Sequence, residues 1–293
     1  MSVLVTGAAG QLGSALRRLS PGFIYTDIAG EGNLPLDITD ARAVNAFVRD
    51  NSIDVIINCA GYTNVDGAED NPDRAYLLNA TAVGYLADAM KERDGLLVHI
   101  STDYIFGGDP ADAPIKEDAR PAPLGVYGES KLRGEKAVLD SGVKHLIFRT
   151  AWLYSETGKN FVRTILNLIS TRPSIKVVED QMGTPTYAGN LAQIILLSLE
   201  RYAKGTLPFG IYNYTGEGAT SWYRFALAIA RISGNTSCRI EPCSTAEYPT
   251  KARRPAYSVL DKTLVKETFN VSIPEWEDTL SAFLASVEKN IFP

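Results

Sequence analysis

Unbroken apolar runs alternate with helically spaced ones through the first half of the chain. Val3–Thr6 reads as a buried strand, Gln11–Leu19 as a helix and residues 23–26 as a second strand. Ala41–Asp50 has helical spacing and precedes the apolar run 54–58, which closes on polar Asn58. The spacing then predicts one long helix over 74–91, a strand over 96–100 running into Ser101-Thr102-Asp103, a helix over 127–139 and a strand over 145–149. Strands that are apolar throughout and separated by helices belong to a parallel sheet covered on both faces. The predicted fold class is therefore α/β, a doubly wound parallel sheet.

After Ala151 the rhythm loosens. Helices are expected over 161–170, 189–202, 221–232 and 276–288, with short strands over 175–178 and 211–214, and prolines 173, 185, 208, 242, 249 and 255 punctuate the connections. Residues 1–150 form the first predicted domain. Residues 151–293 form a smaller substrate-binding lobe, interleaved with the first. The segment 107–123, broken by Pro110, Pro114, Pro121 and Pro123, falls where an active-site flap would sit.

A hydrophobic share of 45% and a charged share of 22% over 293 residues suit a folded, water-soluble chain with a sizeable core. The net charge of −5 argues against nucleic acid or an anionic membrane as partner. Apolar stretches such as residues 194–197 are too short to span a bilayer. Cys59, Cys238 and Cys243 form no CxxC pair, and with only His99 and His145 there is no zinc-like cluster. The sequence opens on a strand with no signal-like run, so a reducing, cytoplasmic setting is expected.

Gly7, Gly10 and Gly13 follow the first strand and open the first helix, the context that marks a Rossmann-type dinucleotide turn. Gly7 allows the tight turn, Gly10 admits the pyrophosphate, and the helix N-terminus favours its charge. Asp27 closes the second strand, where a carboxylate holds ribose hydroxyls and disfavours a 2′-phosphate. Asp37 either contacts adenine or caps a helix. Small residues Cys59, Ala60 and Gly61, followed by Thr63, leave room for a cofactor at the fourth strand end, with Cys59 an inert small hydrophobe. Asn79 marks either a mid-helix polar network or an ordinary exposed position. Ser101-Thr102-Asp103 brings hydroxyls to the next strand end, either to bind a carbonyl or to shape a turn. Tyr127 and Lys131 stand one helical turn apart in Tyr-Gly-Glu-Ser-Lys, so an ammonium beside the phenol is expected to lower its pKa. Hydride from a nicotinamide and a proton from Tyr127 would together reduce a carbonyl.

Glycine turn, small-residue strand end, Ser/Thr strand end and YxxxK, in this order, resemble the extended short-chain dehydrogenase/reductase family. Further runs narrow the likeness: Cys-Ala-Gly-Tyr-Thr-Asn-Val-Asp at 59–66, Ser-Thr-Asp-Tyr-Ile-Phe at 101–106, Phe-Arg-Thr-Ala-Trp-Leu-Tyr at 148–154 and Tyr-Pro-Thr-Lys-Ala-Arg-Arg-Pro at 248–255. With these the chain is similar to the dTDP-4-dehydrorhamnose reductase family over nearly its full length. The resemblance implies NAD(P)H-dependent reduction of the C4 keto group of a dTDP-4-keto-6-deoxyhexose to dTDP-L-rhamnose, with NADPH or NADH as cofactor, used dually or leaning to NADH. It places Gly10, Gln11, Leu12, Asp27, Asp37, Ala60, Gly61 and Thr63 at the cofactor. It makes Tyr127 the proton donor, Lys131 its partner and Thr102 the residue that tunes it, and sets Asp103 and Trp152 against the sugar. Lys251, Arg253 and Arg254 form a basic knot suited to a diphosphate. Related dehydratases carry an acid after Thr-Asp; here Tyr104 stands in its place, leaving simple reduction. No acidic cluster accompanies Ser14 and Ala15, so no metal is expected. The partner is a nucleotide sugar, with a homodimer left open. The alternatives are reduction from the opposite face, giving dTDP-6-deoxy-L-talose, and a non-catalytic nucleotide-binding regulatory subunit.

Overall fold

The computed structural model describes residues 1–30, 32–109 and 112–291. In chain order these form β1 (Val3–Thr6), α1 (Gln11–Leu19), β2 (Ile24–Asp27), β3 (Leu34–Pro35), α2 (Ala41–Asp50), β4 (Val55–Asn58), α3 (Val65–Asp70), α4 (Pro72–Tyr76), α5 (Ala82–Glu92), β5 (Leu96–Thr102), α6 (Val126–Ser141) and β6 (Lys144–Thr150). There follow β7 (Leu153–Tyr154), α7 (Phe161–Thr171), β8 (Ser174–Val178), β9 (Met182–Gly183), β10 (Thr186–Tyr187), α8 (Ala188–Ala203), β11 (Gly210–Asn213), β12 (Thr220–Ser221), α9 (Trp222–Ile232), β13 (Arg239–Cys243), α10 (Thr263–Phe269) and α11 (Trp276–Ile291).

Seven strands form one sheet in the order β11-β6-β5-β4-β1-β2-β3, and every pairing in it is parallel. Within β1 the pleat sends Val3 and Val5 toward Leu12 and Leu16 of α1 and Leu191 and Ile195 of α8. Leu4 goes to the opposite face, among Val44 of α2, Leu86 and Met90 of α5, and Val138 of α6. The strands are apolar throughout because both faces are covered. The chain beyond Ala151 returns to this sheet: β11 lies beside β6, pairing Gly210 with Leu146 and Asn213 with Arg149. Around it an aromatic cluster of Tyr154, Phe225, Trp276 and Phe283 forms a separate core.

Three local expectations are corrected. The long helix over 74–91 is divided: α4 passes into a π-helical turn, Leu77–Thr81, before α5 begins. That bulge brings Asn79 fully inside, where its amide accepts from Tyr62 N at 2.8 Å and donates to Tyr62 O and Ser130 Oγ at 3.0 Å each. β5 runs on to Thr102 because β6 offers Arg149 and Thr150 as partners for Ser101 and Thr102. The segment 107–123 is no flap over the cleft described below, since none of its described residues lines that cleft. It is tied elsewhere: Ile115 bridges Leu260, and Glu117 accepts from Asn213 N at 2.9 Å. Pro110 lies outside the described residues.

The helix α6 is fixed to the sheet by a buried ion pair. Arg149 of β6 donates from Nε and Nη2 to the two carboxylate oxygens of Glu135 at 3.0 and 2.8 Å, and both side chains are buried. Removing one member leaves a buried charge without its partner. Arg149→Met should therefore cost about 3–5 kcal/mol in denaturant unfolding, and adding Glu135→Leu should recover most of it. A double variant no more stable than the single one would show that the pair is not what holds α6.

Candidate active site

A parallel sheet puts the carboxyl ends of its strands along one edge. There the loops leaving β1, β2, β4, β5 and β6 enclose a cleft of 760 Å³. Its first wall is the glycine turn, where Gly7, Gly10, Gln11 and Leu12 line the cleft. Gly7 has φ 67°, and a Cβ there would lie 2.5 Å from Ala60 N, so the turn closes only with glycine. Gly13 does not line the cleft; a Cβ on it would meet Gly7 O at 2.5 Å, so it seats α1 against the turn.

The second wall descends from β2. Asp27 lines it and accepts from Ala9 N and Ile28 N at 2.9 and 2.8 Å, bracing the glycine turn from below. Asp37 also faces the cleft and accepts from the backbone and hydroxyl of Thr39 at 2.9 and 2.7 Å. The helix cap is Asp40, which accepts from Arg42 N and Ala43 N. Ala60, Gly61 and Thr63 cross the middle of the cleft. Burial pushes the Cys59 thiol well up, consistent with an inert side chain.

The floor holds Thr102, Asp103, Tyr127 and Lys131. Thr102 Oγ1 donates to Asp103 Oδ1 at 3.1 Å, and Lys131 Nζ donates to Ile100 O at 2.5 Å. Here the expectation about Tyr127 is reversed. Burial raises its pKa to about 12, against a lowering hydrogen bond from Thr102 and with a further rise from the Asp103 charge. Lys131 is not among the charges that act on the phenol, and burial lowers its own pKa to about 8 despite Glu135 and Cys59. Burial likewise raises Asp103 to about 6, and its Oδ2 has no hydrogen-bond partner.

Trp152 stands on the wall beyond β6. Its φ of 46° is unusual for a bulky residue, and its indole stacks on Trp222 with centroids 3.5 Å apart and planes 11° from parallel. Lys251, Arg253 and Arg254 do not line the cleft. Lys251 is bound to Asp70 at 2.6 and 2.7 Å, and Arg254 to Asp66 at 2.8 and 3.3 Å, so the knot clasps α3. The guanidinium holds the Asp66 carboxyl below its usual range. Arg253 is exposed.

Other wall residues escaped the sequence reading. Tyr104 meets Tyr127 edge-on, centroids 5.4 Å apart, although it was considered only as a replaced acid. Arg74, on α4, and Lys159, in the loop between β7 and α7, are exposed cations; Lys159 follows the Trp-Leu-Tyr run by only five residues, a usable signal. Among the described residues no group of His, Cys, Asp and Glu is placed to hold a metal, and no helix is long and apolar enough to cross a membrane.

Residues 1–289 match the family model for the RmlD substrate binding domain. The chain is 38% identical over 293 residues to a dTDP-4-dehydrorhamnose reductase of Aggregatibacter actinomycetemcomitans, covering 98% of this chain and 99% of that protein. It is 40% identical over 285 residues to a probable dTDP-4,6-dihydroxy-2-methyloxan-3-one 4-ketoreductase of Streptomyces antibioticus, covering 96% and 93%. A solved structure of dTDP-4-dehydrorhamnose reductase from Bacillus anthracis in complex with NADP is similar with a TM-score of 0.88 and 35% identity, covering 98% of this chain and 100% of that one.

The depressed Lys131 gives a stability test. Its folded pKa of about 8 lies below the ordinary 10.5, so burial of the ammonium destabilises the fold fully below about 8. That penalty fades as pH rises through the window to 10.5, above which both states are neutral. Lys131→Met should thus be stabilised at pH 7 by about 2 kcal/mol, after allowing for the lost bond to Ile100 O, and should lose that advantage by pH 10.5. Denaturant curves at the two pH values decide it; a variant destabilised at pH 7 would contradict the desolvation account.

Proposed function

The chain belongs to the RmlD substrate binding domain family, that of the dTDP-4-dehydrorhamnose reductases it is similar to, and we propose that it catalyses NAD(P)H-dependent reduction of the C4 keto group of dTDP-4-keto-6-deoxyhexose, giving dTDP-L-rhamnose. The observation that carries this reading is that Thr102, Tyr127 and Lys131 line one cleft that begins at the glycine cradle of Gly7 and Gly10.

The cradle suits a dinucleotide. A Cβ at Gly7 would collide with Ala60, so backbone reaches the cleft without side chains in the way, and the N-terminus of α1 opens on it at Gly10 and Gln11. Gly7, Gly10, Gln11 and Leu12 would hold the pyrophosphate, Asp27 the ribose hydroxyls, and Ala60, Gly61 and Thr63 the span across the sheet. When bound, the reduced nicotinamide supplies hydride.

The remaining work belongs to the chain's own groups. At neutral pH Tyr127 holds its proton and gives it to the carbonyl oxygen, because an alkoxide is the stronger base. Lys131, cationic below about 8 and bonded to Ile100 O on the cleft floor, would hold the ribose of the dinucleotide. Turned from Asp103 to the phenol oxygen, the Thr102 hydroxyl would donate to it and ease the same proton off. Asp103, with one carboxylate oxygen unpaired, accepts a sugar hydroxyl, and Trp152 offers a ring face to the pyranose. Tyr104, where an acid would be needed for elimination, has its phenol raised by burial and supplies no base. A regulatory subunit would have no use for a buried phenol, hydroxyl and ammonium converging on one cleft.

Tyr127→Phe should keep the fold and dinucleotide binding while losing about 10²–10⁴ of ketosugar-dependent NADH oxidation. A loss below about tenfold would remove Tyr127 as the donor.

Asp27 favours NADH or dual use by repelling a 2′-phosphate. Its carboxylate also braces Ala9 N and Ile28 N, so Asp27→Ala should lower kcat/KM for NADH while raising the NADPH-to-NADH ratio. A strong wild-type NADPH preference that ignores this change would put the ribose elsewhere.

A further inference from the structure

Three cations line the cleft among the described residues: Arg74, Lys131 and Lys159. Lys131 is committed to Ile100 O on the floor. Arg74 lies on α4 beside Leu77 and Leu78, across the cleft from the C-terminal loops. Lys159 is exposed and has no hydrogen-bond or ion-pair partner among the described residues.

The backbone beneath Lys159 is fastened to the first residue of α1. Gln11 Oε1 accepts from Ser155 Oγ and Asn160 Nδ2, both at 3.1 Å, and those two side chains are buried. Gln11 Nε2 reaches Leu153 O at 3.4 Å, and a Cβ on Gly158 would lie 3.3 Å from Gln11 Cγ. A second fastening lies just outside, where Glu156 takes Arg18 of α1 at 2.6 Å and the Tyr187 hydroxyl at 2.6 Å. These bonds hold residues 155–160 against the helix start, and both Gly158 and Lys159 face the same cleft as Gly10, Gln11 and Leu12.

We propose that Lys159 is the cationic half of the diphosphate cradle, contacting the pyrophosphate of the dinucleotide from the loop fastened to the helix start. This rests on the dinucleotide reading above and extends it to a residue of the second half of the chain. The glycine turn supplies backbone N–H groups and a helix dipole but no full charge. A lysine supplies a mobile point charge without demanding fixed geometry, which suits a ligand that must leave after each turnover. Because Gln11 joins the two walls, diphosphate bound at the turn would also bear on the loop that carries Lys159.

A sugar nucleotide carries a diphosphate too, so the test separates the two sources. Calorimetric titrations of wild type, K159A, K159Q and K159R with NADH, ADP-ribose and dTDP give the answer, with thermal melts of each protein as a folding check. A partly solvated charge-assisted contact predicts a rise of about five- to twentyfold in the NADH and ADP-ribose dissociation constants for K159A and K159Q, with a flatter salt dependence. K159R should stay within about threefold of wild type, and dTDP binding should be unchanged. Wild-type NADH affinity in K159A and K159Q overturns the proposal alone. Loss confined to dTDP overturns it by assigning Lys159 to the sugar nucleotide. Wild type that binds neither NADH nor NADPH overturns the dinucleotide reading together with the proposal.

Discussion

Lys131 and Tyr127 stand one helical turn apart on α6, and withdrawal from water acts on them in opposite senses. It drives the lysine down to about 8 and the tyrosine up to about 12. The pair is thus poised as a weak cation beside a firmly protonated phenol. For delivering a proton to a nascent alkoxide that is a favourable resting state: the acid holds its proton until the stronger base forms. Desolvation of two functional groups is a cost to the fold, and the surrounding architecture is what sustains it.

That architecture is a set of close approaches onto α6. A Cβ on Gly134 would lie 2.1 Å from Asn79 O and one on Gly128 2.1 Å from Tyr104 O, so the helix meets its neighbours backbone to backbone at both points. The π-helical turn turns Asn79 inward to tie the Tyr62 backbone to Ser130, whose hydroxyl in turn donates to Tyr127 O at 2.8 Å. On the other side the Glu135–Arg149 pair locks the helix to β6. The strand end that crosses the cleft, the tyrosine and the lysine are therefore positioned by one connected network.

Much of this was legible in the sequence because the signals are local. The strands announce themselves as apolar runs, Gly7 and Gly10 as a glycine turn before a helix, and Tyr127 with Lys131 as an i, i+4 pair. What was not legible depends on contacts across the chain. The two-residue strands β3, β7, β9, β10 and β12 are too short for any period, and β13 carries Arg239, Glu241 and Pro242, which read as loop. The π-turn at Asn79 is set by the approach of Gly134, more than fifty residues away. The basic knot looked free because Asp66 and Asp70, its actual partners, lie some 180 residues upstream. The direction of the Tyr127 shift is hidden for the same reason: helical spacing suggests an ammonium acting on the phenol, but only the packed structure shows that burial governs it.

The reduction itself is tested most directly by following the hydride into product. Wild-type protein incubated with NADH deuterated at both C4 positions and dTDP-4-keto-6-deoxyhexose, with the sugar analysed by proton NMR, should yield dTDP-L-rhamnose carrying deuterium at C4. Product without deuterium at C4, the C4 epimer in its place, or no sugar-dependent oxidation of NADH or NADPH would contradict the account.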